Sequence, residues 1–553
     1  MENRKQFVDI WKLFSVIILI LYLVFMLYPL LKILVESVQN PENKSLSLMW
    51  FKQFFSDYYY FGTLFNSFKL AATVTIVTLI IGVPLAYIFN IYEIHGRNFI
   101  QIMIILCSMS APFLGAYSWI LLLGRGGIIT KFFKDVFSVQ LPSIYGFGGL
   151  ILVLSTKLFP LVFLYVSGAL KTIDNSLLEA SANLGCKGIA RFFKVVVPLC
   201  LPSILAAALM VFMRALADFG TPLLIGEGYR TFPVEIYKQY LGETSTNHNF
   251  AAAISVIAIL VTAIVFLVQK ILSDKVSFAL SALHPIERKK PNKGIAILCH
   301  LYAYGLIAIS YLPNLYLIYL SFRKTSKTGN MFKKGFSLDS YRQIFGANND
   351  MVFNTLRISG TALIIILCMA VIIAYLVVRR MSFLNNLIDT LSMIPYIIPG
   401  SVIGIALVMG FSKGPLVLTG TAAIMVVSMV IRRIPYTIRS SVATLQQIPI
   451  SIEEAAISLG SSKLNTFLKI TIPMMFNGIL AGAIMSWVSL ITELSSSIIL
   501  YSSKTITLNL GVYIAVSRGT DGKACAISFI LTILTIISLL IVMKLTKDKE
   551  VVM

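Results

Sequence analysis

Charged residues are scarce in this chain of 553 residues, making up 13% of it against 57% hydrophobic residues. Its mean hydropathy is +0.85. A soluble globular protein of this size is excluded, because about 25% of the residues in such proteins are charged. The composition therefore predicts a polytopic all-α membrane protein.

Cysteine and histidine are also sparse and form no pattern that holds a metal. The six cysteines are scattered singly, without a C-x-x-C pair, which is typical of free thiols packed as small hydrophobic residues. The four histidines are dispersed at His95, His248, His284 and His300. We therefore expect no metal site and no cofactor in this chain.

Acidic residues number 24 against 46 lysines and arginines, which leaves a net charge of +22. The basic residues stand mostly in short loops between apolar runs, where they set orientation and meet anionic lipid. We therefore predict the lipid bilayer as a partner and exclude nucleic acid.

A phosphate-binding G-x-x-x-x-G-K-[ST] motif is missing, and no polar stretch is long enough to form a nucleotide-binding domain. No nucleophile–base pattern is recognisable either. The sequence thus indicates a protein that is not itself an enzyme.

What the chain does have is twelve long apolar runs, arranged as six plus six around a basic connector. We predict a first half over residues 1–272, a connector over 273–294 and a second half over 295–553. The predicted spans lie near 13–37, 66–90, 98–123, 146–169, 196–222 and 250–271, then near 295–322, 353–378, 386–411, 416–436, 471–499 and 524–544.

The two halves repeat each other in sequence. The stretch 176–198, SLLEASANLGCKGIARFFKVVVP, matches 452–473, IEEAAISLGSSKLNTFLKITIP, at a constant offset of 275 residues. Pro160 and Pro435 share that offset, and Ala86-Tyr87 matches Ala374-Tyr375 at an offset of 288. An internal duplication in parallel orientation explains these matches, because six spans return the chain to its starting side.

Each repeated stretch predicts a short helix, a turn at a glycine, a basic segment and a proline that opens the next span. The second copy, with Glu454-Ala455-Ala456 and then Gly460, resembles the EAA loop of the membrane subunits of ATP-binding-cassette (ABC) importers. The first copy has Glu179-Ala180-Ser181 and departs mildly from the motif. Two ordinary interfacial helices would be the plainer interpretation, but two copies in register favour the specific one.

This resemblance implies that the loops couple the chain to a separate ATPase dimer. An apolar face at helical spacing would fill a groove in each ATPase domain, and each glycine would allow the turn back to the membrane. The residues expected to couple are Glu179, Ala180, Leu184, Gly185, Glu454, Ala455, Ala456, Leu459 and Gly460.

Orientation follows from the basic loops, which place both EAA loops and both termini on the cytoplasmic side of a bacterial inner membrane. One loop disagrees: residues 323–342 carry six basic side chains and yet should face outward.

One further pair obeys the offset of 275 residues. Asp218 lies in ADFGTP and matches Glu493 in ITELSS. Each acid lies about 30 Å of helix beyond its EAA loop, near the outer membrane boundary. Acids at such depth usually face water, a partner or a transport path. We predict a place on the path, where two carboxylates would favour a cationic solute; a polar contact inside the bundle is the alternative.

The stretches ADFGTP and ITELSSSIILYSSKT, with the fused two-half arrangement, resemble the iron(III) branch of these permeases. The resemblance implies a type I importer fold (MetI-like), ferric iron as solute and an external binding protein that delivers it. Thiamine, aminoethylphosphonate or a polyamine would be alternative solutes for the same machinery. The outer loops 226–250 and 501–523 are candidate contacts for the binding protein.

A twelve-helix secondary transporter is the rival class, with an ion channel or scaffold as a third possibility. A secondary transporter would explain the duplication, but not two EAA loops. It would also carry charged groups at mid-span, and we expect none here.

Overall fold

The computed structural model describes residues 10–108, 112–186, 188–242, 247–276, 286–326, 329, 332–346 and 350–545. Both chain ends, the middle of the predicted connector with His284, and the short gaps between these ranges lie outside the described residues. Within them the protein is helical apart from one small antiparallel hairpin.

The first half contains twelve described helices, some of them long spans and the others shorter helices between the spans. They are α1 (Ile10–Ser37), α2 (Met49–Ser56), α3 (Tyr58–Ile91), α4 (Arg97–Ser108), α5 (Pro112–Leu123), α6 (Ile128–Phe137), α7 (Phe147–Lys171), α8 (Asn175–Asn183), α9 (Gly188–Leu216), α10 (Gly220–Ile225), α11 (Phe232–Leu241) and α12 (His248–Val276).

The second half follows a similar order, adds the hairpin after its first span and has no described helix at the place of α6. Its elements are α13 (Lys293–Ser321), β1 (Arg323–Thr325), β2 (Phe332–Phe336), α14 (Asp339–Gly346), α15 (Met351–Arg379), α16 (Phe383–Ile397), α17 (Gly400–Phe411), α18 (Ala422–Gln447), α19 (Ser451–Ser458), α20 (Lys463–Met474), α21 (Phe476–Ile491), α22 (Ser497–Leu500), α23 (Leu508–Ser517) and α24 (Asp521–Leu545).

Three helices pack together at the centre of each half. In the first half they are α3, α7 and α9, and in the second half their equivalents α15, α18 and α21. The approach of α3 to α7 is close because Gly82 lies against Val162, whose Cβ is 2.6 Å from the position that a Cβ on residue 82 would occupy. The duplicated sequence therefore produces the same three-helix core twice.

The first helix of each half packs against the other half. The Ser15 hydroxyl on α1 donates a hydrogen bond of 2.7 Å to Asn385 on α16. In the reverse direction, the Tyr302 and Tyr311 hydroxyls on α13 donate to the backbone oxygens of Ile81 and Met103. This exchange ties the two halves into one bundle.

A π-helical turn precedes a proline at equivalent places in both halves. The turns span Phe192–Val196 and Phe467–Thr471, and each is followed within two residues by Pro198 or Pro473. A proline ring clashes with the carbonyl four residues before it, and the wider turn makes room for the ring.

Breaks divide spans that we expected to be continuous. The predicted span 386–411 is wrong as a single helix, because α16 and α17 meet at an angle of 113°. The break follows Pro395 and contains Pro399, and prolines remove backbone donors from a helix. The predicted span 471–499 is likewise bent by 70° between α20 and α21. The span 98–123 separates into α4 and α5 around residues 109–111, which lie outside the described part.

Among the described residues, nine helical stretches are long and apolar enough to cross a membrane, one of them formed by α5 and α6 together, or eleven if each bent pair counts as one span. The prediction was twelve. The predicted span 416–436 differs because α18 carries three arginines, Arg432, Arg433 and Arg439. It nevertheless packs between α15 and α21, at the place that α7 occupies in the first half.

Candidate functional site: two coupling loops and a central charged layer

Both EAA loops form the predicted short helix followed by a turn. Gly185 and Gly460 have φ angles of +79° and +91°, in the left-handed region that favours glycine. In each loop the amide after the glycine donates to a carbonyl in the last helical turn, from Cys186 to Ser181 and from Ser461 to Ala456. This is the Schellman ending of a helix, and it confirms the predicted glycine turns.

The predicted apolar face of each loop points away from the protein. Leu184 is 88% exposed and Leu459 is 90% exposed, although leucine is usually buried in folded proteins. Six of the other expected coupling residues are exposed, and Ala456 is half-buried. The exposed ones are Glu179, Ala180, Gly185, Glu454, Ala455 and Gly460. They form three identical pairs at the offset of 275 residues, whereas Ala456 corresponds to Ser181.

Opposite faces of the two loop helices are buried against the bundle with different chemistry. In the first loop Leu178 is 4% exposed. At the matching position of the second loop, the Glu453 carboxylate accepts a hydrogen bond of 3.0 Å from Arg379 and one of 3.2 Å from the Tyr375 hydroxyl. Both loop helices are thus fixed to the bundle through their buried faces.

An aromatic pair anchors the segment after each loop. The rings of Tyr87 and Phe192 lie 4.8 Å apart, and those of Tyr375 and Phe467 lie 4.7 Å apart. In the second half Trp11 of the exchanged helix α1 adds a third ring, 4.4 Å from Tyr375.

The two loops lie at one end of the bundle, which we call the coupling end. Each of α9 and the α20–α21 pair runs from its loop to the far end, where a helix of each half contributes a tyrosine to a shared contact. There the Tyr237 and Tyr513 hydroxyls lie 3.2 Å apart. Burial and this hydrogen bond raise the pKa of Tyr237, so its hydroxyl stays protonated at neutral pH.

The basic loop 323–342 belongs to the far end. The Gly522 amide at the start of α24 donates to the Gly329 carbonyl, and the rings of Phe322 and Phe529 lie 5.4 Å apart. Its hairpin thus lies opposite the coupling loops, as the predicted topology requires despite the charge of the loop.

Contacts at the far end repeat between the halves. The Asn66 amide donates to the Arg230 carbonyl, and the Asn354 amide donates to the Lys504 carbonyl. The next residue of each pair accepts from a backbone amide: Ser67 from Phe232, and Thr355 from Leu508. These Asn-Ser and Asn-Thr pairs match at an offset of 288 residues, and each pair holds the outer loop of its half.

The two predicted pathway acids are both engaged in ion pairs. Asp218 accepts a hydrogen bond of 3.1 Å from the Lys157 ammonium on α7. Glu493 is paired with both Arg432 and Arg433 on α18. Lys157 and Arg432 are themselves related by the offset of 275 residues, so the duplication preserves the whole ion pair.

These pairs correct two sequence expectations. Charged groups do occur at mid-span, since Lys157 and Arg432 each lie about 15 Å along their helix from its outer start. Moreover, Asp218 and Glu493 do not offer free negative charge to a cation, because basic partners neutralise both. The signal that could have identified the partners was available: Lys157 and Arg432 stand three residues before the matched Pro160 and Pro435.

Glycine at the break between α16 and α17 makes room for this arrangement. A Cβ added at Gly400 would lie 2.6 Å from the Arg432 guanidinium and 2.1 Å from the Ser495 hydroxyl. The broken span therefore lets the arginine reach Glu493.

Arg214 on α9 and two tyrosines lie next to these ion pairs, between the two halves. Tyr396 interacts with the Arg214 guanidinium, and its hydroxyl lies 3.1 Å from the Met210 sulfur on α9. Its ring lies 5.8 Å from that of Tyr436, one turn along α18 from Arg432. We define the central charged layer as Lys157, Arg214, Asp218, Arg432, Arg433 and Glu493.

Within the described part of the chain, no group of three or more His, Cys, Asp or Glu side chains is placed to hold a metal ion. The six cysteines form no disulfide there and most are buried, as expected of packing residues.

The family model of the binding-protein-dependent transport system inner membrane component matches residues 6–278 and 352–547. A ferric transport system permease protein, FbpB, from Actinobacillus pleuropneumoniae is 27% identical over 531 residues, covering 94% of this chain and 76% of that protein. The Fe(3+)-transport system permease protein FbpB 2 of Haemophilus influenzae is 25% identical over 452 residues, covering 81% and 83%.

Two further similarities cover about half of the chain. A protein described as a 2-aminoethylphosphonate transport system permease protein, PhnU, of Salmonella typhi is 25% identical over 249 residues, covering 44% of this chain and 86% of that protein. A bacterial ABC transporter involved in the import of alginate contains a chain with a TM-score of 0.41 and 15% identity, covering 48% of this chain and 96% of the other.

The family match spans most of both halves, includes both EAA loops and sets aside the secondary transporter. This chain belongs to the family of binding-protein-dependent transport system inner membrane components, the permease subunits of ABC importers.

Proposed function

We propose that this permease imports ferric iron, which an external binding protein delivers and a separate ATPase dimer drives across the bacterial inner membrane. Two ferric transport permeases that are similar over 81–94% of the chain support the choice of solute. The proposed docking on the ATPase dimer is supported by the two loops at one end of the bundle, each of which ends in an almost fully exposed leucine.

The loops suit docking to a soluble partner. Burying a leucine side chain stabilises an interface by about 1.5–3 kcal/mol, so Leu184 and Leu459 gain most by entering apolar grooves. The buried faces of α8 and α19 hold the loops rigidly on the bundle, so that a push on a loop moves the span behind it. Two loops of like shape fit two like ATPase domains.

The coupling end is the cytoplasmic end in this proposal. Basic residues cluster around the loops, as cytoplasmic segments require, and Trp11 near the amino terminus packs there against Phe467. The far end, with the hairpin and the outer loops of both halves, then faces the binding protein.

Alternating access follows from the contact between the halves. The Tyr237–Tyr513 hydrogen bond closes the far end between α11 and α23. When the ATPase domains close, the loops swing α9 and the α20–α21 pair, and the tyrosines separate to admit the solute. ATP is bound by the partner, and this chain supplies the conduit.

Coupling is tested by Gly185→Asp combined with Gly460→Asp. Both glycines have open space around them, so the effect comes from the left-handed backbone and from the misdirected loop tip. We expect the double variant to lose the ATPase on affinity purification, while the wild-type chain retains it.

Gly414→Asp is the matched control, because Gly414 is also left-handed at φ +104° with open space around it, but lies in the loop before α18 at the far end. It should retain the ATPase. Loss of the ATPase in the control, or its retention in the double variant, would contradict the docking role.

The solute is tested with cells that import through the intact system. We expect ATP-dependent uptake of [⁵⁵Fe]ferric ion and iron in the purified binding protein. Uptake of 2-aminoethylphosphonate in place of iron would support the second candidate, which the partial similarity to PhnU favours.

A further inference from the structure

The central charged layer has more positive than negative groups. Four basic side chains, those of Lys157, Arg214, Arg432 and Arg433, meet two carboxylates, those of Asp218 and Glu493. Among the described residues this leaves a surplus of two positive charges between the halves. A bundle that needed only to neutralise its acids would need one cation for each acid.

The burial of these groups makes the surplus significant. The side chains of Arg432 and Arg433 are 12% and 19% exposed, and that of Glu493 is 1% exposed. Uncompensated charge is costly away from water, so within a membrane it usually marks a path for a charged solute.

The layer also has hydrogen-bond donors that lack partners. The Nε atoms of Arg432 and Arg433 are buried and without an acceptor in the structure. Arg214 forms no ion pair with a described carboxylate and instead lies beside Tyr396 and Tyr436. Guanidinium groups match the paired oxygens of phosphate and carboxylate in geometry and charge.

We propose that Arg214, Arg432 and Arg433, with the Tyr396 and Tyr436 hydroxyls, form an oxyanion site on the transport path. The solute then crosses this layer as an oxyanion, or as a metal ion that still carries coordinated oxyanions, rather than as a bare cation. This inference rests on the proposed function and specifies the chemical form of its solute.

The position between the halves fits a site that is remade during transport. Arg214 belongs to α9 of the first half, whereas Tyr396, Arg432 and Arg433 belong to α16 and α18 of the second half. Movement of one half against the other changes the distance between Arg214 and Arg433, and with it the strength of the hold on an oxyanion. The site would thus bind an oxyanion with different strength when the path is open to one side of the membrane and when it is open to the other.

Binding is tested on the full-length chain in nanodiscs, by calorimetric titration with sodium pyrophosphate and with ferric pyrophosphate at constant ionic strength. We expect both probes to bind the wild-type chain, and Arg214→Gln to weaken binding about tenfold or more, because it removes a charged donor. Arg214 is chosen because both ion pairs of the layer stay intact without it. Arg214→Lys, which keeps the charge, should retain part of the affinity.

Arg125→Gln is the matched control. Arg125 pairs with Glu227 at the surface and is 76% exposed, so its loss removes a positive charge outside the layer. Unchanged binding in the control, together with weakened binding in Arg214→Gln, supports the site. No binding to the wild-type chain, or equal affinity in Arg214→Gln, overturns it. Binding of ferric pyrophosphate alone identifies the metal complex as the ligand, and binding of both probes identifies the oxyanion.

A transport measurement separates this inference from the proposed function. If cells import [⁵⁵Fe]ferric ion equally well with the wild-type chain and with Arg214→Gln, the oxyanion site is overturned and the iron function stands. If the wild-type chain imports no iron but pyrophosphate still binds through Arg214, the iron assignment fails and the oxyanion site stands.

Discussion

The two halves of this permease share their backbone plan but differ in how they neutralise buried charge. In the first half one ammonium, Lys157, meets one carboxylate, Asp218. At the equivalent place in the second half two guanidinium groups share Glu493. Lysine can lose its proton when it is buried, whereas arginine cannot. The positive charges of Arg432 and Arg433 in the second half therefore cannot be removed by deprotonation, whereas that of a lysine in the first half can.

The loop anchors differ in the same direction. Leu178 lies in an apolar contact beneath the first loop, and its counterpart Glu453 is paired with Arg379 beneath the second. The residue equivalent to Arg379 at an offset of 288 is Ile91. The duplication has thus kept the positions and changed the side chains at them, and in both comparisons the second half buries more charged groups than the first.

The largest expected effect comes from removing the shared carboxylate. Glu493→Gln leaves Arg432 and Arg433 buried without an anion, which should cost about 5 kcal/mol of unfolding free energy, since breaking a buried pair costs about 3–5 kcal/mol. Asp218→Asn should cost less, because Lys157 can become neutral. Thermal unfolding of both variants in nanodiscs checks the order. Equal losses would show that the halves do not differ in this respect.

A smaller effect is expected at the second loop. Glu453→Leu leaves Arg379 without its carboxylate and should cost about 3 kcal/mol, because Arg379 keeps its hydrogen bonds to the Leu445 and Ile448 carbonyls. Adding Arg379→Ile copies the apolar anchor of the first half.

The double variant should recover to within about 1 kcal/mol of the wild-type chain, because well-packed apolar residues can replace a buried ion pair. Hydrogen exchange of the backbone amides of residues 448–462 measures the local stability of both variants. A double variant less stable than the single one would mean that the anchors are not interchangeable.

The smallest effect is expected where the halves are most alike. Tyr237→Phe and Tyr513→Phe each remove the same hydrogen bond at the far end and should each cost about 1 kcal/mol. Combining them should add little, because the bond is already lost. A double-mutant cycle on thermal unfolding checks this, and additive losses would show that each hydroxyl has a separate partner.

The covalent sequence by itself determined the membrane class, the duplication and the two loops. Long apolar runs can be recognised residue by residue, and a repeat at a constant offset needs no coordinates. The left-handed turns at Gly185 and Gly460 were equally predictable, because few other residues adopt that backbone conformation. The outward face of Leu184 and Leu459 followed from helical spacing alone.

Only the tertiary structure decided the net charge of the central charged layer. The partners in each central ion pair are 61 or 60 residues apart, and helical periodicity within one span does not reveal which face of it meets another span. The break at Gly400 that admits Arg432 depends on the packing of three elements at once. From the linear sequence, Asp218 and Glu493 predicted a site that favours a cation. In the folded chain these two carboxylates lie among four basic side chains, so the layer is positively charged.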